Sequence, residues 1–156
     1  MANYYLETSA FLKRYKQEKG SAFVNQIIED SSSVIFHSNL TLTEINRVFF
    51  CLYKYPQVIG GVQPISKEFF DSLQAQFADD LLKMEKIVLT EEIIEKTKEI
   101  LEKGYLKSLD LLHLATFLII KKEFPEAKLI TADGNIIEVA KRIIPESDII
   151  NPEVYG

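Results

Sequence analysis

The sequence has no tryptophan, only one cysteine and only two histidines among its 156 residues. A single cysteine excludes an intramolecular disulfide and suits a reducing compartment. No apolar run reaches the roughly 20 residues that span a bilayer, and the first residues lack the basic and apolar pattern of a signal peptide. We therefore expect a cytoplasmic protein that does not insert into a membrane.

Basic residues are also in deficit, since 18 lysines and arginines face 23 acids and the net charge is −5. This balance argues against a protein that binds nucleic acid through a broadly basic surface. It leaves open an enzyme whose clustered acids hold a metal beside a local basic rim that binds phosphate. No Gly-x-Gly-x-x-Gly follows any predicted strand, which argues against a dinucleotide-binding oxidoreductase.

Strand and helix patterns alternate along the whole chain. With 156 residues, 47% of them hydrophobic, the chain is long enough for one well-packed core. Predicted strands cover residues 3–7, 33–37, 86–89, 128–131 and 148–150, and predicted helices cover residues 10–19, 21–30, 41–55, 66–84, 90–104, 108–124 and 135–143. Such alternation implies right-handed crossovers. We predict a single α/β domain over residues 1–156, with three layers and a mostly parallel central sheet of four or five strands flanked by helices.

Four acids stand at predicted strand ends or helix starts: Glu7, Glu44, Asp110 and Asp133. Each has a local explanation that involves no chemistry. Thr41 and Glu44 fit a capping box, Asp110 would be favoured by the dipole of its helix, and Asp133 has the position of an N-cap. Taken singly, none of the four indicates a functional site.

Asp110 and Glu7 are harder to explain locally. The helix of Asp110 is apolar on nearly every side, so we expect this helix to be buried. A buried carboxylate without a partner costs several kcal/mol. Glu7 ends a strand that is expected to be central in the sheet. Because sites in parallel sheets form beyond the carboxyl ends of the strands, these acids predict a shared site there.

Crowded carboxylates raise one another's pKa unless a hard divalent cation neutralises them. Oxygen ligands favour Mg²⁺ or Mn²⁺ over zinc, and such ions with water as nucleophile are suited to phosphodiester cleavage. Neither histidine has the spacing of a metal ligand. His113 is expected to pack beside Asp110 or to support a ligand, His37 has no assigned role, and Cys51 is expected to be a core thiol.

Four segments, in order, resemble the PIN-domain family: YLETSAFLKRY, LTLTEINRVF, LKSLDLLHLATFL and LITADGNIIEVA. Each is short, but their order, helix contexts and spacing match that family across residues 3–142. The size of the chain is most similar to the VapC-like toxins of toxin–antitoxin pairs. The resemblance implies a Mg²⁺- or Mn²⁺-dependent endoribonuclease, often a homodimer, inhibited by a small antitoxin.

The resemblance also implies roles for individual residues. Glu7 and Asp110 would be the principal metal ligands, Asp133 would complete the pocket, and Glu44 would hold a second metal or a metal-bound water. The residues expected to orient these ligands or to contribute polar groups are Thr8, Ser9 and Asn135.

Glu7 departs from the family pattern, which has aspartate at this position. The additional methylene displaces the carboxylate, and metal sites tolerate errors of only a few tenths of an ångström. One alternative is therefore a catalytically weakened PIN-like module that binds RNA or protein. An aspartyl-phosphate phosphohydrolase is a further alternative, but Glu7 and Ser9 stand where that chemistry needs two aspartates.

Basic residues near the first two motifs are candidates for binding RNA phosphates, although an ordinary solvated face is an equally simple interpretation. They are Lys13, Arg14, Lys16 and Arg47. Residues 41–84, with their GGVQP loop, are expected to form a helical clip that faces substrate and antitoxin. An arginine on an antitoxin arm would enter the acidic pocket in place of the metal's charge.

Overall fold

The computed structural model describes all residues from Met1 to Gly156. Five strands form one parallel sheet: β1 (Asn3–Leu6), β2 (Val34–Ser38), β3 (Glu85–Ile87), β4 (Lys128–Ile130) and β5 (Ile149–Ile150). Their spatial order is β3-β2-β1-β4-β5, so β1 is central, as expected for the strand that leads to Glu7. The α/β architecture with a central parallel sheet is confirmed.

Seven α-helices cover the sheet: α1 (Thr8–Phe11), α2 (Ser21–Glu29), α3 (Asn39–Lys54), α4 (Lys67–Leu81), α5 (Glu91–Leu101), α6 (Ser108–Glu123) and α7 (Gly134–Ala140). None of them is long and apolar enough to cross a membrane. The buried apolar residues form two clusters of 17 and 13 residues. Neighbouring residues of β1 separate between them, Tyr5 into one and Leu6 into the other, because successive side chains of a strand point to opposite faces.

Several boundaries differ from the sequence prediction. The helix predicted over residues 10–19 is the single turn of α1 followed by a 3₁₀ turn, Leu12–Arg14. The chain then turns at Gly20, whose φ of 91° favours glycine. Helix α3 begins at Asn39 with Ser38 as its N-cap, so Thr41 lies inside the helix and the predicted capping box does not form.

The predicted clip consists of α3, a 3₁₀ turn (Pro56–Ile59), a loop and α4. Rings on the two helices hold it together, since Phe70 lies against both Phe50 and Tyr53 with centroids 4.9 and 4.7 Å apart. Cys51 is 5% exposed, which confirms it as a buried thiol in α3.

The end of α4 is fastened to the rest of the domain by Asp80, which is 1% exposed. Arg14 donates two hydrogen bonds of 3.0 Å to its carboxylate, and the hydroxyl of Tyr15 donates a third at 2.9 Å. A bidentate pair with an additional donor satisfies a buried charge, but removing one partner leaves the other uncompensated.

Replacement of Asp80 by alanine should therefore lower the free energy of unfolding by roughly 3 kcal/mol. Urea titration followed by circular dichroism would measure the loss. Asp79→Ala is the matched control, because Asp79 is the exposed neighbour on the same helix turn. Equal stability of the two variants would show that the Asp80 contacts contribute nothing.

Candidate metal-dependent active site

The site lies at the carboxyl ends of the central strand, β1, and its neighbour β4. Leu6 of β1 is in register with Ile130 of β4, and the backbone N–H of Glu7 donates to the carbonyl of Ile130 at 3.0 Å. The next residue along each strand, Glu7 or Thr131, therefore points out of the sheet edge beside the other.

Glu7 is the N-cap of α1 and is only 4% exposed. Its Oε2 accepts hydrogen bonds from the backbone N–H of Ser9 at 3.0 Å and from the hydroxyl of Thr131 at 2.8 Å. The hydroxyl of Ser9 donates to the same oxygen. Three donors thus fix Oε2 of Glu7. The other oxygen, Oε1, has no hydrogen-bond partner and is accessible to solvent.

Asp110 lies in the first turn of α6 and is half-buried, less enclosed than its apolar helix predicts. Its carboxylate has no hydrogen-bond partner. Burial, together with the negative charges of Asp133, Glu7 and Glu44, raises the pKa of Asp110 to about 6, although the charge of His113 opposes part of the rise. The other three acids thus all lie close enough to act on Asp110, which is the effect expected of crowded carboxylates.

Asp133 is the N-cap of α7, and its Oδ1 accepts from the backbone N–H groups of Asn135 and Ile136 at 2.8 and 3.2 Å. The capping role suggested by the sequence is therefore real, but it uses one oxygen and leaves Oδ2 without a partner. The side chain of Asn135 is exposed, and only its backbone contacts Asp133.

Glu44 does not return to the start of α3 as a capping-box residue would. Its Oε1 accepts from His113 Nε2 at 2.5 Å and from the hydroxyl of Thr8 at 2.8 Å. Burial would raise the pKa of Glu44, but the hydrogen bond and charge of His113 outweigh it and lower the pKa. Thr8 therefore orients Glu44 rather than Glu7, and Thr41 braces Thr8 at 3.0 Å.

His113 is fully buried between two partners, Glu44 at Nε2 and the Tyr5 hydroxyl at Nδ1, 2.7 Å away. Burial would lower its pKa, but the hydrogen bond to Glu44 and the charges of Glu7 and Glu44 raise it. The imidazole thus fixes the direction of Glu44 across the gap between α6 and α3.

Two of the predicted phosphate-binding residues are engaged elsewhere. Lys13 is 3% exposed and pairs with Glu18 at 3.1 Å and Glu153 at 2.8 Å, so its expected place on a solvated rim is wrong. Arg14 is committed to the Asp80 contacts and to α2. Arg47 and Lys16 are exposed, and Arg47 forms no ion pair although its charge reaches Glu44.

Thr131 and Tyr5 support the site but were not predicted from the sequence. His113 makes more contacts there than its sequence position suggested. Thr131 could have been found as a hydroxyl that ends the strand beside β1. His113 had a signal in its position three residues after Asp110, on the same helix face. Nothing local marks Tyr5, because its role depends on β1 facing α6.

The PIN domain model matches residues 4–142, nearly the whole chain. The chain belongs to the PIN domain family. PIN domains are typically metal-dependent nucleases. A search of curated proteins finds no significant match to this sequence.

Solved structures share the PIN fold at low sequence identity. VapBC2 from Rickettsia felis, bound to a DNA fragment from its promoter, superposes with a TM-score of 0.63 at 18% identity, covering 96% of this chain and 98% of that one. FitAcB from Neisseria gonorrhoeae superposes with a TM-score of 0.65 at 14% identity, covering 96% of this chain and 97% of that one. PAE2754 from Pyrobaculum aerophilum gives 0.56 at 13%, covering 88% and 79%.

The side chains of the PIN site suit a hard divalent cation chemically. Glu7 Oε1, Glu44 Oε2, Asp133 Oδ2 and the Asp110 carboxylate are oxygen donors without a hydrogen-bond partner, the ligand type that Mg²⁺ and Mn²⁺ prefer. As they stand, no three acidic, histidine or cysteine side chains surround a common point. Binding therefore requires side-chain rotation, most easily by Asp110, which breaks no hydrogen bond when it turns.

Asp110→Asn should stabilise the metal-free protein at pH 7.5 by roughly 1 kcal/mol, because it removes a partly desolvated charge that three other acids repel. Because the pKa of Asp110 is raised, the ionised carboxylate lowers the free energy of unfolding by its full amount above about pH 6. This loss disappears below the ordinary pKa of 3.8. The difference in Tm between variant and parent, measured by calorimetry, should therefore shrink as the pH falls from 7.5 to 4.5.

Mn²⁺ at about 100 times its Kd should raise the Tm of the parent by roughly 5–10 °C and that of Asp110→Asn much less. The matched control is Glu91→Gln, an exposed acid in the first turn of α5, which should leave the Mn²⁺ response intact. A parent protein with no Mn²⁺ response would contradict the metal assignment.

Proposed function

We propose that this PIN-domain protein is a Mg²⁺- or Mn²⁺-dependent endoribonuclease and the toxin of a VapBC-type toxin–antitoxin pair. The observation that carries the proposal is the unpartnered Asp110 carboxylate, whose pKa is raised by burial and by three neighbouring acids. A protein retains such an unfavourable cluster at a strand edge when a cation relieves it.

The proposed metal ligands are Glu7, Asp110 and Asp133, with Glu44 on a second metal or a metal-bound water. The bound cation would supply an activated water and would neutralise charge on the phosphate. Ser9 and Thr131 hold the Glu7 carboxylate, and His113 and Thr8 hold that of Glu44. These supports restrict the two glutamates, whose extra torsions would otherwise reduce the precision of the site.

The same contacts bear on the alternative of a weakened module. Glu7 folds back as a helix cap, so its extra methylene is taken up by a fixed conformation rather than left free. One oxygen remains available. This arrangement favours an active enzyme over a catalytically weakened module. We also propose that Arg47 contacts RNA phosphates beside Glu44.

Purified protein should cleave total RNA with Mn²⁺ and should not cleave it with EDTA. Asp110→Asn and Glu7→Gln should each reduce the rate by at least 100-fold, since each removes a ligand charge, whereas Glu91→Gln should retain it. Gel electrophoresis of the products measures this. Cleavage that persists in EDTA or in Asp110→Asn would refute the mechanism, and Mn²⁺ binding without cleavage would support the module.

A groove of about 890 Å³ begins beside the site and is the surface that we propose for the antitoxin. Its lining includes Ser9 and Ala132, close in the chain to the acids Glu7 and Asp133, and Ile59, Gly60 and Phe69 of the clip. Val58 and Val62 of the clip are 63% and 91% exposed, and an apolar segment of the partner would cover them. The fold similarity to VapBC2 and FitAcB supports such a partner, and a homodimer is proposed on the family resemblance.

An arginine of the antitoxin should insert among the four acids and occupy the place of the cation. Neutralising Glu7, Asp110 and Asp133 together should therefore weaken antitoxin binding by 10-fold or more in calorimetry, and Mn²⁺ should compete with the antitoxin for the parent protein. Equal affinity for the parent and the triple variant would dismiss the arginine arm but not the groove.

A further inference from the structure

The turn between α5 and α6, residues 102–107, carries the most exposed aromatic side chain of the protein. Tyr105 is 79% exposed and contacts no other ring. The next most exposed aromatic residue, Tyr155 at 60%, differs because it stacks on Phe23 with centroids 4.6 Å apart. The side chain of Tyr105 is thus largely open to solvent.

The backbone of this turn is held firmly although its tyrosine is free. Leu106 is 3% exposed in the larger apolar cluster, and the carbonyl of Lys103 accepts from the Arg142 guanidinium at 3.0 Å. A Cβ at Gly104 would lie 2.8 Å from that guanidinium and 3.0 Å from Val139, so the turn packs tightly on the end of α7. A ring displayed from a fixed support loses little entropy on binding.

The turn directly precedes α6, the helix whose first turn carries Asp110. Asp110 follows Tyr105 by five residues, which limits the separation of their Cα atoms to at most about 18 Å. The turn also packs on Val139 of α7, the helix whose N-cap is Asp133. A strand of RNA bound at the proposed site can therefore extend as far as the ring.

Charge around the ring favours RNA over a second protein. Lys103, Lys107 and Arg142 are exposed and form no ion pair, whereas Lys13 and Arg14 are committed to buried carboxylates or internal partners. Glu102 is the one acid of the turn. Three cations without an ion-pair partner, near an exposed aromatic ring, are the elements that bind single-stranded nucleic acid, by phosphate attraction and base stacking.

We infer that Tyr105 stacks on an unpaired base of the RNA substrate while Lys107 contacts a phosphate, so that the α5–α6 turn selects single-stranded RNA. This inference rests on the proposed ribonuclease function. It adds a substrate-positioning residue outside the four motifs that carry the family resemblance.

Binding can be separated from cleavage in the Asp110→Asn protein, with a fluorescein-labelled ten-nucleotide single-stranded RNA followed by anisotropy. Adding Tyr105→Ala should weaken Kd on the order of 5- to 100-fold, whereas Tyr105→Phe should stay within about twofold. Ile94→Ala, which shortens a 45% exposed apolar side chain of α5 outside both the turn and the clip, should have no effect. Lys107→Ala should weaken binding and reduce the salt dependence by about one charge.

Two results would overturn the inference: an unchanged Kd in Tyr105→Ala, or an equal loss for a duplex of the same length. A Tyr105→Ala variant that loses only antitoxin binding would assign the ring to the protein partner instead. Cleavage tests the function separately, since a parent that binds RNA through Tyr105 without cleaving it would refute the ribonuclease and leave the stacking site in place.

Discussion

Repulsion among four carboxylates at one edge of a parallel sheet is the constraint on which this structure depends. The fold stabilises three of them locally: Glu7 by three donors, Asp133 by two backbone amides, and Glu44 by His113 and Thr8. Asp110 receives no such help, and its raised pKa records the cost. The cluster is thus arranged so that one acid remains available to an external positive charge.

The supports of the two glutamates come from different elements of the fold. Thr131 follows β4 and fixes Glu7, while His113 reaches across from α6 to fix Glu44 on α3. Tyr5, itself part of the central strand, holds the other nitrogen of the imidazole. Each ligand orientation therefore depends on correct packing of the entire domain, and a change in the core that shifts α6 would alter the site without touching an acid.

The sequence predicted the parallel α/β fold, the central position of β1 and the meeting of the acids at the strand ends, because periodicity and strand termini are local features. It did not predict the contacts that arise only between distant elements. Glu44 matched a capping box until α3 was seen to begin two residues earlier, at Asn39. Lys13 resembled a surface cation, but its burial depends on Glu153 at the far end of the chain. The groove, the Asp80 anchor and the α5–α6 turn likewise require the assembled structure.

The hydrogen bond from Thr131 to Glu7 joins positions 124 residues apart in the sequence. At the roughly 5–20 residues per second of synthesis, its two ends leave the ribosome on the order of 6–25 s apart. Until then the central strand lacks its β4 neighbour and Glu7 lacks one of its three hydrogen-bond donors. The site of the proposed ribonuclease is thereby incomplete while the chain is still attached to the ribosome.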